Sequence, residues 1–330
     1  MEKFIHSLFN DDILKLAGQF FGVELKELHA LGGFENYIYE YHLNKTDYIL
    51  RISHSSHRSL DQVEAELDFV NYLALNLANV SVPIQSINKR LVESVECSDG
   101  SYFTITSYIK AKGEKPSRNN ITEEFFENYG KTIGQFHHST KNYTPSKSKR
   151  YTWIEDPLIK NAFQYLPQND TVILEKFNHL VNFISTIPKN NNNYGLIHSD
   201  IHMGNFFIEH NKLCVFDFDD TSYMYFISDI AIALFYYIQS IHDEELRNSK
   251  ADHFMALFMR GYQQENKLNH EDFINISYFL KLREFVLYIV LNRSCDIETE
   301  SYAKNYINFY RNRLIDDVPF VNLDFSKYIK

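Results

Sequence analysis

At 330 residues and 44% hydrophobic content, the chain exceeds the usual size of a single-core domain, and two lobes or domains are expected. A formal net charge of −10 disfavours nucleic acid and anionic membrane as partners, because both select basic patches. The three cysteines, Cys97, Cys214 and Cys295, are far apart with no CxxC pair, which supports neither a disulfide framework nor a zinc knuckle.

The opening stretch, Met1-Glu2-Lys3-Phe4-Ile5-His6, lacks a basic region followed by an apolar run, so no signal peptide is expected. Residues 11–21 read as a short amphipathic helix, with Ile13, Leu14, Leu16 and Phe20 on one side. A strand-rich region follows: residues 27–31, a Gly32-Gly33 turn, residues 37–43 and residues 47–52, the last two joined by the polar hairpin Asn44-Lys45-Thr46-Asp47. Residues 60–77 are helical in pattern, since Val63, Leu67, Val70, Leu73 and Leu77 recur at spacings of three and four, and Val80-Ser81-Val82-Pro83 ends the run. Residues 91–96 and 102–109 make another hairpin, turned at Ser98-Asp99-Gly100.

Composition turns polar at Lys110-Ala111-Lys112-Gly113-Glu114-Lys115-Pro116, which places a lobe boundary there: residues 1–110 before it and 111–330 after it. The second part is mostly helical, at 122–140, 171–185, 227–238, 243–264 and 271–291. A short hairpin of 206–208 with 213–216, around His210-Asn211, interrupts the helices, behind an asparagine-rich loop at 189–193. The most apolar window, 227–238, carries Asp229 and is too short to span a bilayer, so a cytoplasmic protein is expected. Strands first and helices after them predict an α+β fold rather than a doubly wound sheet.

One stretch carries the chemistry: Gly195-Leu196-Ile197-His198-Ser199-Asp200-Ile201-His202-Met203-Gly204-Asn205, followed by Val215-Phe216-Asp217. An aspartate, an asparagine five residues on and a second aspartate twelve beyond that match what kinase-type phosphoryl transfer needs. One carboxylate accepts the proton of the substrate hydroxyl, while an amide oxygen and the other carboxylate hold magnesium on the ATP phosphates.

These residues resemble the aminoglycoside phosphotransferase and choline kinase family, whose fold is similar to that of protein kinases. The family's run, His-Gly-Asp-Leu-His-Pro-Gly-Asn, stands here as His198-Ser-Asp-Ile-His-Met-Gly-Asn205, with Asp217-Phe218-Asp219 after the hairpin. Ser199 and Met203 depart from the commonest letters at positions that supply neither base nor metal ligand. The resemblance implies a two-lobed protein-kinase-like fold, with a small antiparallel sheet and one helix in the N-lobe and a mostly helical C-lobe. It implies an ATP- and Mg2+-dependent phosphotransferase acting on a hydroxyl of a small molecule, with GTP left open as donor. Within the family's range the acceptor is an aminoglycoside, an amino alcohol such as choline or ethanolamine, homoserine, a sugar or a protein Ser/Thr. By the same resemblance Asp200 is the catalytic base, Asn205 and Asp217 are the magnesium ligands, His198 steadies the loop, and Asp229 braces it from the following helix.

The front lobe adds weaker expectations. Gly32-Gly33-Phe34-Glu35-Asn36 looks like the family's nucleotide loop, where glycine lets backbone amides approach phosphate, with Asn36 counted among its binding residues. Arg51 sits where kinases carry a lysine, and its fork can pair with phosphate. Glu66 is its preferred acidic partner over Glu64, two residues away on the same helix. The adenine is expected at the main chain of Ser107, Tyr108 and Ile109. Trp153, Glu155 and Asp156 lie where the family places substrate-binding elements, and a tryptophan beside two acids suits an ammonium group. Together with Asp219 and Asp220 they tilt the expectation toward a cationic acceptor. Tyr236, Tyr237, Arg283 and Tyr288 are further candidates for the substrate cleft, and His137-His138 is read as ordinary helix packing.

Three other readings compete. Val215-Phe216-Asp217-Phe218-Asp219-Asp220-Thr221 matches the opening of haloacid dehalogenase-type phosphatases, with Asp217 and Asp219 as nucleophile and acid/base, but that pattern needs a long α/β segment after it and the remainder reads as helices. His198, Asp200 and His202 form a His-x-Asp-x-His set able to ligate zinc or iron, which leaves Asn205 and Asp217 unexplained. The third is an inactive nucleotide-binding regulatory module, for which Arg51 is the opening and the presence of base and both ligands the objection.

Overall fold

A computed structural model of the chain describes residues 3–117 and 120–329; Met1 and Glu2, in the opening stretch read above, lie outside them. The contacts divide the chain into two units. The first is Met1–Glu114 with Tyr143–Arg150 and Cys214–Asp219, and the second is Lys115–Asn142, Tyr151–Leu213 and Asp220–Lys330.

The first unit opens with α1 (Lys3–Leu8) and α2 (Asp11–Gln19). Asn10 caps α2, its side chain accepting from the Ile13 N–H at 3.0 Å, and Asp11 and Asp12 suit the positive end of the helix dipole. Glu27, expected to begin a strand, instead ends a single 3-10 turn, Leu25–Glu27, because Glu24 and Glu27 close a reciprocal cap there. An antiparallel sheet follows, built from β1 (His29–Gly32), β2 (Tyr37–Leu43), β3 (Thr46–His54), β4 (Pro83–Ile84), β5 (Glu93–Glu96) and β6 (Tyr102–Ile109). The strand order is β1-β2-β3-β6-β4, with β5 also paired to β6. Asn44 and Lys45, both at positive φ, make the two-residue turn between β2 and β3. That turn sets the register that puts Arg51 opposite Ile38, and the pairing of β3 with β6 puts Thr106 on its other side. Leu50, Ile52, Phe103 and Ile105 meet the apolar face of α2, Ile13, Leu14 and Ala17, in one core.

Helix α3 (Leu60–Leu75) is capped by Ser59 and buries Val63, Leu67, Val70 and Leu73, with Glu66 on the same face. It stops short of the predicted end because Leu77 takes a positive φ of 65°. Two later segments complete this unit. Val215 bridges Val80, its N–H donating to the Asn79 carbonyl at 3.0 Å and its carbonyl accepting from the Ser81 N–H at 2.8 Å. Tyr143 and Ser146 donate side-chain hydroxyls to Asp68.

The second unit begins with α4 (Glu123–Thr140), capped by Thr122, then α5 (Pro157–Lys160), α6 (Ala162–Tyr165) and α7 (Thr171–Ser185). β7 (Tyr194–Ile197) precedes β8 (Phe206–Glu209) and β9 (Lys212–Val215), which pair around His210-Asn211, and β10 (Ser222–Tyr225) returns antiparallel to β7. Helices α8 (Ile227–Ile238), α9 (Glu244–Glu265), α10 (His270–Phe273), α11 (Ile276–Ser294) and α12 (Ser301–Ile315) follow. The single helix expected at 271–291 is divided at 274–275, and α12 and the β7–β10 pair were not expected.

Helices α4 and α9 pack backbone to backbone. A Cβ on Gly261 would stand 1.8 Å from the Glu127 carbonyl oxygen, and one on Gly130 would stand 1.9 Å from that of Phe258, so both positions admit glycine alone. Helix α8 is buried on nearly every side, which explains its unbroken apolar sequence. Among the described residues no helix is long and apolar enough to cross a membrane.

Candidate active site

In the first unit, the glycine turn closes back on itself. Gly32 has a φ of 88°, and a Cβ on Gly33 would fall 2.0 Å from the Asn36 carbonyl oxygen, so the chain can take this path only without side chains there. Asn36 is buried, and its Oδ1 has no hydrogen-bond partner among the described residues.

Arg51, in the middle of β3, forms a two-pronged pair with Glu66 of α3, at 2.8 and 2.7 Å. Glu64 is half-exposed, while Glu66 is buried. The Tyr108 ring lies 5.3 Å from the guanidinium. Burial opposes the charge on Arg51, but Glu66, Tyr108 and Asp219 outweigh it and hold the group charged, well above its ordinary value.

Of the three positions expected to meet adenine, Ser107 holds the Tyr41 hydroxyl through its own Oγ at 2.8 Å. Ile109 has both main-chain groups engaged: its N–H donates to the Val82 carbonyl at 2.9 Å, and its carbonyl accepts from Ser81 Oγ at 2.6 Å.

Asp217 is exposed and carries a φ of 62°, a backbone state that costs a non-glycine residue about 1 kcal/mol or more and is often kept at functional positions. The acid two residues on is anchored. The Asp219 carboxylate meets His57 Nε2 at 2.5 Å and Arg58 Nε at 3.6 Å, while its carbonyl accepts from Arg58 Nε at 3.0 Å and Arg150 Nη2 at 2.6 Å. Burial would raise the Asp219 carboxyl, but His57 and Arg58 hold it well below the carboxylate range. Nothing in the sequence pointed to His57, Arg58 or Arg150, which lie 162, 161 and 69 positions away from it.

In the second unit the motif leaves β7 at His198, which is buried, and turns through Ser199 at a φ of 66°. Asp229, in the first turn of α8, accepts from the N–H groups of both His198, at 3.2 Å, and Ser199, at 2.9 Å. The same carboxylate contacts His137 Nε2 at 3.2 Å. His137 stacks on Phe226 at 4.6 Å and meets the Tyr262 hydroxyl at 2.9 Å, a structural role that its place in a helix pattern did not disclose. Burial pushes His137 below its ordinary value, against the pull of Asp229, so the ring is neutral near pH 7.

Asp200 is surrounded by donors. Arg283 of α11 gives Nη2 to Oδ1 and to the Tyr236 hydroxyl, the latter at 2.5 Å. Asn205 gives Nδ2 to the Asp200 carbonyl at 2.9 Å and to Oδ2 at 3.2 Å. His202 accepts the Gly204 N–H on Nδ1 at 2.8 Å, which leaves Nε2 as the protonated nitrogen facing Oδ2 at 3.3 Å. Burial would raise the Asp200 carboxyl, but Arg283, His202 and His198 outweigh it and bring it down to about 2.

With its Nδ2 turned to Asp200, Asn205 keeps Oδ1 as the acceptor end of the amide. Among the described residues no group of three or more His, Cys, Asp or Glu is placed to hold a metal ion.

The remaining candidates have local partners. Trp153 is buried, Glu155 closes a cap on Thr152 at 2.8 and 2.7 Å, and Asp156 caps α5 through the Leu158 N–H at 2.8 Å. Asp220 is exposed. Tyr237 stacks on Phe254 and Tyr288 donates to Asp170 at 2.6 Å, whereas Tyr236 and Arg283 meet at Asp200. After Asp220 the chain is β10 and helices α8 to α12, not the alternating strands and helices of the phosphatase reading.

Comparison with known proteins places the chain in a family. A sequence model of the phosphotransferase enzyme family matches residues 27–265. Amicoumacin kinase of Bacillus subtilis (strain 168) is 32% identical over 336 residues, covering 100% of this chain and 99% of that protein. The solved structure of amicoumacin kinase hAmiN, in complex with AMP-PNP, Ca2+ and Ami, superposes with a TM-score of 0.93 at 29% identity over 99% of each chain. A microcompartment-associated aminopropanol kinase shares the fold at a TM-score of 0.75 and 19% identity, over 92% of this chain and 95% of that one. The kinase-like α+β fold, the match across residues 27–265 and the full-length likeness to an amicoumacin kinase together establish that this chain belongs to the phosphotransferase enzyme family and is a small-molecule kinase.

Proposed function

We propose that this kinase transfers the γ-phosphoryl group of ATP, with Mg2+, to a hydroxyl of amicoumacin or of a molecule of that class, and that Asp200 is the base. The observation that carries the reading is the state of Asp200: a carboxylate kept ionised by Arg283, His202 and Asn205, on a loop tied at two successive amides to Asp229. Such a group is a weak base that orients a hydroxyl and takes its proton late, which suits a loose phosphoryl-transfer transition state. The choice of acceptor rests on full-length similarity to amicoumacin kinase of Bacillus subtilis.

Each remaining residue has a matching role in this reading. Asn205 and Asp217 hold the magnesium ion, which when bound neutralises charge developing on the phosphates. Arg51, kept in place by Glu66, offers its remaining N–H groups to phosphate, and the glycine turn offers backbone amides. Because Ile109 is already paired on both main-chain groups and the Lys110 N–H donates to the Asp47 carbonyl at 2.9 Å, the adenine falls to the Lys110 carbonyl and the main chain of Ala111 and Lys112.

The test is incubation of the full chain with amicoumacin, ATP and Mg2+, with phosphorylated product read by mass spectrometry. A product that forms only with both nucleotide and metal supports the reading. Unchanged turnover in Asp200→Asn removes the assignment of the base.

A further inference from the structure

The acids that suggested a cationic acceptor are mostly committed elsewhere: Glu155 and Asp156 to caps and Asp219 to His57 and Arg58. What stands beside the base is a cation. Arg283 has only 14% of its side chain accessible, and burial opposes its charge, yet Tyr236 and Asp200 hold it protonated. Among the described residues only Nη2 of its three nitrogens makes a hydrogen bond, and the buried Nε has no partner. The Tyr236 ring lies 4.8 Å from the guanidinium carbon and, with its hydroxyl bonded to the same nitrogen, limits where the fork can swing.

We infer that Arg283 selects acceptors whose reacting hydroxyl has a carbonyl-type oxygen, of a carboxamide or carboxylate, on the adjacent carbon, and discriminates against those with an ammonium group there. This rests on Asp200 being the base. A hydroxyl bonded to the Asp200 carboxylate stands within about 5 Å of Arg283 Nη2, since each of the two bonds spans about 3 Å. A group on the neighbouring carbon then lies in reach of the unused guanidinium donors. A carbonyl or carboxylate oxygen there gains a charge-assisted hydrogen bond, and a bidentate one if both nitrogens engage. An ammonium group there meets a like charge in a site poorly screened by water. A positive charge farther from the reacting carbon is unaffected.

The experiment uses the full chain with ATP and Mg2+ and compares lactamide, lactate and 1-amino-2-propanol, which share a three-carbon skeleton and a secondary hydroxyl, with amicoumacin as a fourth acceptor. Transfer is followed by 31P NMR, and the KM for ATP and the melting temperature are recorded alongside. We expect kcat/KM for lactamide or lactate to exceed that for 1-amino-2-propanol by about 10- to 100-fold, the scale of a hydrogen bond to a charged group. Arg283→Met strands the Asp200 carboxylate and should lower the melting temperature, but it should erase this preference while the KM for ATP stays near wild type, and Arg283→Lys should restore part of it. A preference for the amino alcohol, a preference that survives Arg283→Met, or an equal loss of kcat for every acceptor overturns the inference. Transfer to amicoumacin alone is decided by where the phosphate sits: a carbon bonded to a carbonyl carbon supports the role of Arg283, and any other position overturns it. No transfer to any of the four sinks the reading of Asp200, and the role of Arg283 with it.

Discussion

The pair formed by Arg51 and Glu66 allows stability and chemistry to be separated. Both side chains are almost wholly buried, at 5% and 1% accessible, and their two bonds are 2.8 and 2.7 Å. Glu66→Gln keeps the shape and removes the counter-charge, leaving a guanidinium in a dry site. Breaking a buried pair from one side costs about 3–5 kcal/mol. Over a unit of this size that corresponds to a fall of about 10 °C or more in melting temperature. Replacing both partners, as Arg51→Met with Glu66→Leu, removes the stranded charge and should recover most of the loss, because well-packed apolar groups of similar volume substitute for buried pairs at little cost. The double variant should nonetheless lose at least about tenfold in kcat/KM for ATP, since no fork remains for phosphate. Thermal melts and steady-state kinetics on the same samples decide. A melting temperature within 2 °C of wild type for Glu66→Gln would refute the burial argument, and wild-type kinetics in a stable double variant would refute the phosphate role of Arg51.

Asp200→Asn should lower kcat by roughly 10²–10⁴-fold with little change in the KM for ATP, read by coupled ATPase assay with acceptor present. Asp217→Ala should abolish magnesium-dependent ATP binding in titration calorimetry, because it removes one of only two protein oxygens proposed for the ion. Gly261→Ala should destabilise by about 1–3 kcal/mol, since its Cβ would enter the Glu127 carbonyl and force α4 from α9; a melt unchanged from wild type would contradict that packing. The Asp200 carboxyl, depressed to about 2 from an ordinary 3.8, contributes stability that is present above pH 4 and is lost as pH falls toward 2. Asp200→Asn should therefore flatten the acid limb of the stability profile in that window, measured by far-UV circular dichroism.

The chemistry was legible in the sequence where it lies close in the chain. The residues expected to serve as base and ligands, Asp200, Asn205 and Asp217, lie within 18 positions of one another in the sequence, so their spacing survives in one dimension. Elements with strong periodicity or clear caps were legible too: α3, α4 and the β2–β3 hairpin fall within a few residues of expectation. The preference for Glu66 over Glu64 follows from which helix face points inward, and the structure places Glu66 on that face.

What depends on residues distant in the chain could be settled only by folding. Arg283 reaches Asp200 across 83 positions, Asp229 ties His198 to His137 from another helix, and His57 reaches Asp219 across 162. A carboxylate looks alike in a sequence whether it caps a turn, as Glu155 does, or waits for a ligand, because its hydration and partners exist only after packing. The sequence by itself determined which reaction class the chain serves, since that chemistry demands particular side chains at short range. Tertiary structure decided which charges surround those side chains, since burial and long-range contact set the sign of the field at the base.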